Sequence, residues 1–264
     1  MPQKQYIDKL LEKEEDLIYF NEFLNSAEVL DLKSKLMNSF MDNESHLKMK
    51  DGIFFPYPYS AVHQSVPHAE ENYLKFSSDF NQNHQELIHL IIHKLEESIH
   101  DEIIPLKHYS GQQMASLNTR ILYAKKNGID IHCENAFTHQ LEVDFLEWLK
   151  SKVDLENAIS FLLVLQKPES GGDLILFNQV WDQISMQLGH TSIEERHDLG
   201  GSIFKNRGVK EVSYRRISIE PGDAVCFRAA QIWHAIDQVD GTKDRISIGC
   251  FIGKGKDGKK YFWA

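Results

Sequence analysis

The chain has 264 residues, 42% hydrophobic and 26% charged, which is ordinary globular usage and excludes a disordered, apolar-poor sequence. Its 29 Lys and Arg against 39 Asp and Glu leave a formal charge of -10. That balance argues against a general nucleic-acid binder, which needs basic surface to displace counterions from phosphate. The three cysteines, Cys133, Cys226 and Cys250, form no Cys-x-x-Cys pair, so neither a disulfide framework nor a zinc knuckle is expected. The polar N-terminus lacks the apolar run of a signal peptide. Apolar stretches such as Ile159 to Leu165 fall far short of the roughly 20 residues that span a bilayer. A cytoplasmic monomer or homodimer, with no membrane and no nucleic acid as partner, is the expectation.

In chain order, Ser26 is placed to cap a helix whose buried stripe is Val29, Leu30, Leu36, Met37 and Phe40. The aromatic, proline-containing run from Gly52 to His68 reads as a loop packed on the core, with covering a pocket as the alternative. A second helix is expected through Leu87, Leu90, Ile91, Leu95 and Ile99. Its His89 and His93 share a face at i, i+4, which metal binding would use, although solvation is the simpler role.

From Ser116 the pattern changes to short strands punctuated by Gly, Pro and Asp. They are Leu117 to Ala124, Ile129 to Glu134, Ile159 to Leu165, Asp173 to Phe177, Tyr214 to Ile219, Ala224 to Arg228, Trp233 to Val239 and Arg245 to Ile252. A short helical insertion is expected over Leu141 to Leu149 and a loop over Gly189 to Gly208. The fold class is therefore mainly β with N-terminal helices (α+β), a jelly roll buttressed by helices. One domain over residues 1–264 is expected, with a helical layer over 1–115, a jelly-roll core over 116–253 and a tail over 254–264.

The chemistry concentrates in three elements of the β region. His132 and Glu134, at i and i+2 of a predicted strand, point to one face, with Cys133 turned away. A jelly roll brings a distant strand back beside the first, which allows His234 to join them. Two imidazoles and one carboxylate form the facial arrangement that leaves open positions on Fe(II). Arg245 and Ser247 share a strand face and offer a guanidinium fork and a hydroxyl to a carboxylate.

These blocks, in order from Leu117 to Ile252, resemble the Fe(II)- and 2-oxoglutarate-dependent dioxygenases of the prolyl-hydroxylase-like branch. They are Leu122-Tyr123 with Gly128, His132-x-Glu134, Phe161 to Leu165 with Gly171-Gly172-Asp173-Leu174, Pro221 to Phe227 before His234, and Val239-x-Gly241 before Arg245-x-Ser247. The resemblance implies a double-stranded β-helix, with His132, Glu134 and His234 as catalytic iron ligands. It also implies Arg245, Ser247 and Tyr123 at the 2-oxoglutarate site, with O2 as second cosubstrate and succinate and CO2 released. The family usually has Asp where this chain has Glu134, and related halogenases have a small residue there so that chloride can bind. Glu134 therefore favours hydroxylation.

The chain is also similar to the small oxygenases that hydroxylate or halogenate free amino acids. Asn135, Trp181 and Asp182 are the substrate-binding candidates, with a turn residue and a packed rim aromatic as the plainer readings of Asn135 and Trp181. Asn118 and Arg120 are weaker candidates, because strand parity separates them from Tyr123. Trp233 is expected to face away from the metal. An amino acid, conceivably a basic one given the acidic chain, is the expected small-molecule substrate. A peptidyl substrate and a non-catalytic cupin-like metal-binding or sensor protein are the alternatives.

Overall fold

The computed structural model describes residues 6–40, 46–59, 68–138, 144–181 and 213–264. Six helices are described: α1 Tyr6–Leu11, α2 Ser26–Phe40, α3 Ala69–Asn83, α4 Gln85–Ile99, α5 Glu134–Thr138 and α6 Asp144–Lys152. The strands of the first half are β1 Leu17–Phe20, β2 Leu47–Lys48, β3 Gly52–Phe55, β4 Ile104–Pro105, β5 Asn118–Leu122, β6 Ile129–His132, β7 Ile159–Gln166 and β8 Ser170–Gly171. Those that follow are β9 Leu174–Val180, β10 Tyr214–Ile217, β11 Ala224–Phe227, β12 Ile232–Ile236, β13 Val239–Asp240, β14 Arg245–Lys254 and β15 Lys260–Trp263.

Two sheets make the jelly roll. The large one runs β1-β11-β7-β14-β5-β3-β2, with β15 continuing alongside the second half of β14 and β4 beyond it. The small one runs β10-β9-β12-β6. The β7 sequence Ile-Ser-Phe-Leu-Leu-Val-Leu-Gln is buried along nearly its whole length, as a central strand covered on both faces should be.

The two faces of the large sheet do different work. Register aligns Phe55 with Thr119 and Ile53 with Ile121, on the face where Phe55 meets Phe80 and His84 of the helical layer. On that side Phe161 packs against Phe23. The opposite face carries Asn118, Arg120 and Leu122 beside Gly249, Ser247 and Arg245, and looks toward the small sheet.

The α2 cap differs in detail from the expected one. Asn25, not Ser26, accepts the Ala27 and Glu28 N–H groups through its Oδ1 at 3.0 Å each, while the Glu28 carboxylate accepts the Asn25 N–H, a reciprocal capping box shifted by one residue.

Residues 1–115 are not purely helical, since β1, β2, β3 and β4 all lie there and join the large sheet. Nor are residues 254–264 a trailing tail. β15 pairs with β14, Trp263 is fully buried, and the Ala264 carbonyl accepts a hydrogen bond from Tyr73 at 2.8 Å. Strands of four residues or fewer are hard to see in sequence, because their partners lie at the other end of the chain. The expected loop from Gly52 begins as β3, and Tyr57 and Tyr59 beyond it are buried. Of the expected helical insertion, Asp144–Lys152 is helical, and residues 141–143 lie outside the described residues. The loop expected over Gly189 to Gly208 lies wholly outside them. No helix among the described residues is long and apolar enough to cross a membrane.

Candidate active site

The small sheet brings the two histidines together. His132 at the end of β6 pairs directly with His234 in β12, with ring centroids 4.1 Å apart. Each ring is held in the same way: His132 Nδ1 lies 2.6 Å from the Asp130 carbonyl and His234 Nδ1 lies 2.8 Å from the Ile232 carbonyl. A carbonyl only accepts, so each Nδ1 carries the proton and each Nε2 presents its lone pair, the form in which imidazole binds a metal.

Glu134 completes the group, but not by strand alternation as expected. β6 stops at His132, and Glu134 is the first residue of α5. The chain turns because the segment is stitched to the approach of β12. The Glu134 and Asn135 N–H groups donate to the Ala229 and Ala230 carbonyls at 3.2 and 3.3 Å, and the Cys133 thiol donates to Ala230 at 2.9 Å. The same loop that leads to His234 thus sets the carboxylate. Ligand atoms of His132, Glu134 and His234 all lie within 4.8 Å of one another, a metal-binding cluster among the described residues. The helical pair His89 and His93 is in no such cluster, and His93 instead lies 3.6 Å from Glu97 on an exposed face.

Burial pushes the Glu134 carboxyl up to about 7, against the lowering influence of Arg120. Burial first, then the neighbouring His132, push His234 well below the ordinary histidine range, so it stays neutral. One stability prediction follows from Glu134. Without metal, the folded protein holds a proton there between about 4.5 and 7 that the unfolded chain has lost, so this group's contribution to stability falls as pH rises through that window. Metal binding needs the carboxylate and opposes the trend. Melting of the metal-free protein, compared with Glu134→Gln across pH 4.5 to 7, is expected to show wild type losing ground as pH rises, and Fe(II) added anaerobically should restore more at the upper end. A pH-independent difference between the two proteins would contradict the assignment.

Outward-facing residues of the small sheet form their own cluster of Ile131, Cys133, Ile175, Phe177, Trp233 and Ala235, so Cys133 and Trp233 face away from the ligand group as expected. On the inner side the Phe227 ring meets His234 edge-on, with centroids 5.0 Å apart.

Across the interior stands Arg245, 2% exposed. Its Nε donates to the Gly172 carbonyl and its Nη1 to Ser247 Oγ, each at 2.8 Å, while Nη2 is buried with no hydrogen-bond partner. Burial first, then the nearby positive Arg120, lower its guanidinium to about 10, with Asp173 opposing. Gly172 is required here. Its φ is +67°, and a Cβ would lie 2.9 Å from Pro168 Cγ and 3.1 Å from Arg245 Cδ. The turn before Arg245 is fixed by Glu169, whose carboxylate accepts from Thr242 N–H, Thr242 O–H and Lys243 N–H at 2.8 to 3.0 Å. An unpartnered guanidinium N–H beside a hydroxyl that still has its own proton to give is a receptor for one end of a dicarboxylate. The three ligand atoms opposite it suit a metal. Both halves of the site therefore fit iron and 2-oxoglutarate.

The remaining candidates separate. Tyr123 lies just beyond the end of β5, partly buried against the main core, with its N–H bonded to the Asp51 carbonyl. Asn135 is 1% exposed and donates through Nδ2 to the Glu156 carbonyl at 3.1 Å, which ties α5 to the 3-10 turn Leu155–Asn157 ahead of β7. Trp181 packs against Trp233, with ring centroids 6.2 Å apart, beside the cluster on the sheet face away from His132 and His234. Asp182 lies outside the described residues. Arg120 is placed by register. It pairs with Ser247 and so shares a face with Arg245, whereas Tyr123 falls past the strand. Tyr59, buried within the electrostatic reach of Glu134 and Arg120, carried no sequence signal beyond its aromatic loop.

Comparison with solved structures gives the same fold. A novel N-substituted L-amino acid dioxygenase from Burkholderia ambifaria AMMD is similar with a TM-score of 0.64 at 14% identity, covering 98% of this chain and 90% of that one. The same kind of enzyme from that organism, in complex with alpha-KG, gives a TM-score of 0.60 at 13% identity, with 98% and 90% covered. No curated protein matches the sequence. Residues 3–264 match the family described as carrier-protein-independent halogenase WelO5. The chain belongs to that family, and is an enzyme of the Fe(II)- and 2-oxoglutarate-dependent oxygenase superfamily.

Proposed function

We propose that the protein hydroxylates an unactivated C–H bond of a small amino acid or amino-acid derivative, consuming 2-oxoglutarate and O2 and releasing succinate and CO2. The observation that carries this reading is Glu134, a carboxylate within ligand distance of His132 and His234 in a family described as halogenases. Where a small residue stands in the halogenases, chloride has a place on the metal, and here the Glu134 carboxylate would take that place.

In this reading His132 Nε2, His234 Nε2 and Glu134 would hold the iron. Iron with its oxo-acid cosubstrate and O2 supplies an oxidant able to break a C–H bond. The chain's own work is placement. Arg245 and Ser247 grip the far carboxylate of 2-oxoglutarate. The buried side chains of Leu162, Val164, Leu176 and Phe227 line the inner faces and keep water out. The similarity to an N-substituted L-amino acid dioxygenase supports an amino-acid-like substrate. The three buried cysteines, none of them in a disulfide, suit a reducing cytoplasm.

The test is mass spectrometry of products from a panel of free and N-acylated amino acids, incubated with Fe(II), ascorbate and 2-oxoglutarate in chloride buffer. A gain of one oxygen is expected. A product bearing chlorine in place of hydrogen would overturn the reading.

A further inference from the structure

Arg245 has an assigned partner in the cosubstrate, but the interior holds a second guanidinium with none. Arg120 sits at the middle of β5, with its side chain on the face shared by Ser247, Arg245, Asn118 and Phe54. Its guanidinium stands over the Phe54 ring at 5.5 Å, and its Nε is buried with no hydrogen-bond partner. It stands opposite Ser247, on the same face as Arg245, and within electrostatic reach of Glu134, Tyr59 and His234. Two residues along the same face, Asn118 Oδ1 is another buried polar atom with no partner, because Asn118 spends its Nδ2 on the Pro56 carbonyl at 2.7 Å. Opposite Asn118 the partner strand has Gly249, which puts no side chain into the space. A charged side chain whose buried Nε has no partner, on the same strand face as a buried unpaired acceptor, is costly unless a ligand satisfies both.

A guanidinium whose Nε has no partner calls for an acceptor that carries negative charge.

We propose that Arg120 binds a carboxylate of the substrate, and that Asn118 Oδ1 accepts an N–H from the same molecule, so that the substrate class is an amino acid or N-acyl amino acid held by its acid end. This rests on the site being the Fe(II) and 2-oxoglutarate centre described above, and it specifies which part of the substrate the protein recognises. It also removes the reason for expecting a basic substrate: the interior is cationic although the chain as a whole is acidic.

The test is binding without turnover. The enzyme loaded anaerobically with Fe(II) and 2-oxoglutarate is titrated by calorimetry with the free and N-acetyl forms of the twenty amino acids, each against its own carboxamide. At least one acid is expected to bind wild type about 10-fold or more tighter than its amide, as a charge-assisted hydrogen bond implies. Arg120→Gln should remove that preference, lowering affinity for the acid about 10- to 100-fold and leaving the amide and 2-oxoglutarate affinities unchanged. Arg120→Lys, which keeps the charge without the fork, should retain part of it. Asn118→Asp should weaken the acid further by placing a negative charge at the acceptor. The proposal is overturned if no acid in the panel is preferred to its amide. It is equally overturned if Arg120→Gln and Arg120→Lys both lose 2-oxoglutarate affinity and keep the acid preference, since Arg120 would then serve the cosubstrate. Failure of wild type to bind Fe(II) and 2-oxoglutarate at all would instead strike at the reading of the centre itself.

Discussion

His234→Ala is expected to lower succinate formation by more than about 100-fold, beyond the 10- to 100-fold usual for losing a residue that only orients a metal ligand. His234 is the residue through which the site is assembled. It pairs with His132 across the sheet, its Nδ1 proton is committed to the Ile232 carbonyl, and Phe227 fixes its ring from the large sheet. Removing the imidazole leaves two donors for the metal, and no neighbour among the described residues completes the group in its place. Iron content after anaerobic loading and desalting should fall in parallel with activity, while the circular dichroism spectrum stays that of wild type. His132→Ala should behave alike. Full turnover in either variant would remove these residues from the metal.

The second large effect is expected at Arg245. Arg245→Ala should raise the 2-oxoglutarate concentration needed for half-maximal rate by about 10- to 100-fold, the equivalent of one charge-assisted hydrogen bond of roughly 1.5 to 3 kcal/mol. The rate at saturation should change much less, because the grip on the remote carboxylate is the same before and during the chemical step. Arg245→Lys should fall between, since an ammonium cannot serve Gly172, Ser247 and a carboxylate together as the planar fork does. Ser247→Ala should cost only a few-fold, one neutral donor being worth about 1 kcal/mol. Steady-state kinetics with 2-oxoglutarate as the varied reactant separates these cases. An unchanged requirement in Arg245→Ala would rule out its cosubstrate role.

The parts of this site that were legible in sequence share a property: they depend on alternation within one strand. Arg245 and Ser247 share a face because two residues of a strand always do, and Trp233 turns outward because His234 turns inward. Glu134 shows the limit of that logic. Its role was read from strand parity, yet it stands on a helix, brought to the histidines by hydrogen bonds to Ala229 and Ala230 nearly a hundred positions away in the chain. Arg120 shows the complementary limit. Parity separates it from Tyr123 correctly, but only the pairing of β5 with β14 reveals that Arg120, and not Tyr123, is on the side of Arg245. Pairing across the chain likewise decides β1 and β15. Each is a four-residue segment whose place in the large sheet comes from a distant strand, Leu17 against Phe227 and Trp263 against Phe251. Trp181 shows that a polar neighbourhood in sequence does not fix a face, since its ring went to Trp233. The jelly roll itself was legible because eight short β segments bounded by turn residues admit few other arrangements.

The visible charge-transfer absorption that forms when 2-oxoglutarate chelates Fe(II) in the absence of oxygen reports whether His132, Glu134, His234 and Arg245 together hold iron and 2-oxoglutarate. Wild type is expected to develop this band with one equivalent each of metal and 2-oxoglutarate, His234→Ala is expected not to, and Arg245→Ala should need about 10- to 100-fold more 2-oxoglutarate to reach it. A band of undiminished intensity in His234→Ala, or no band in wild type, would rule out this centre.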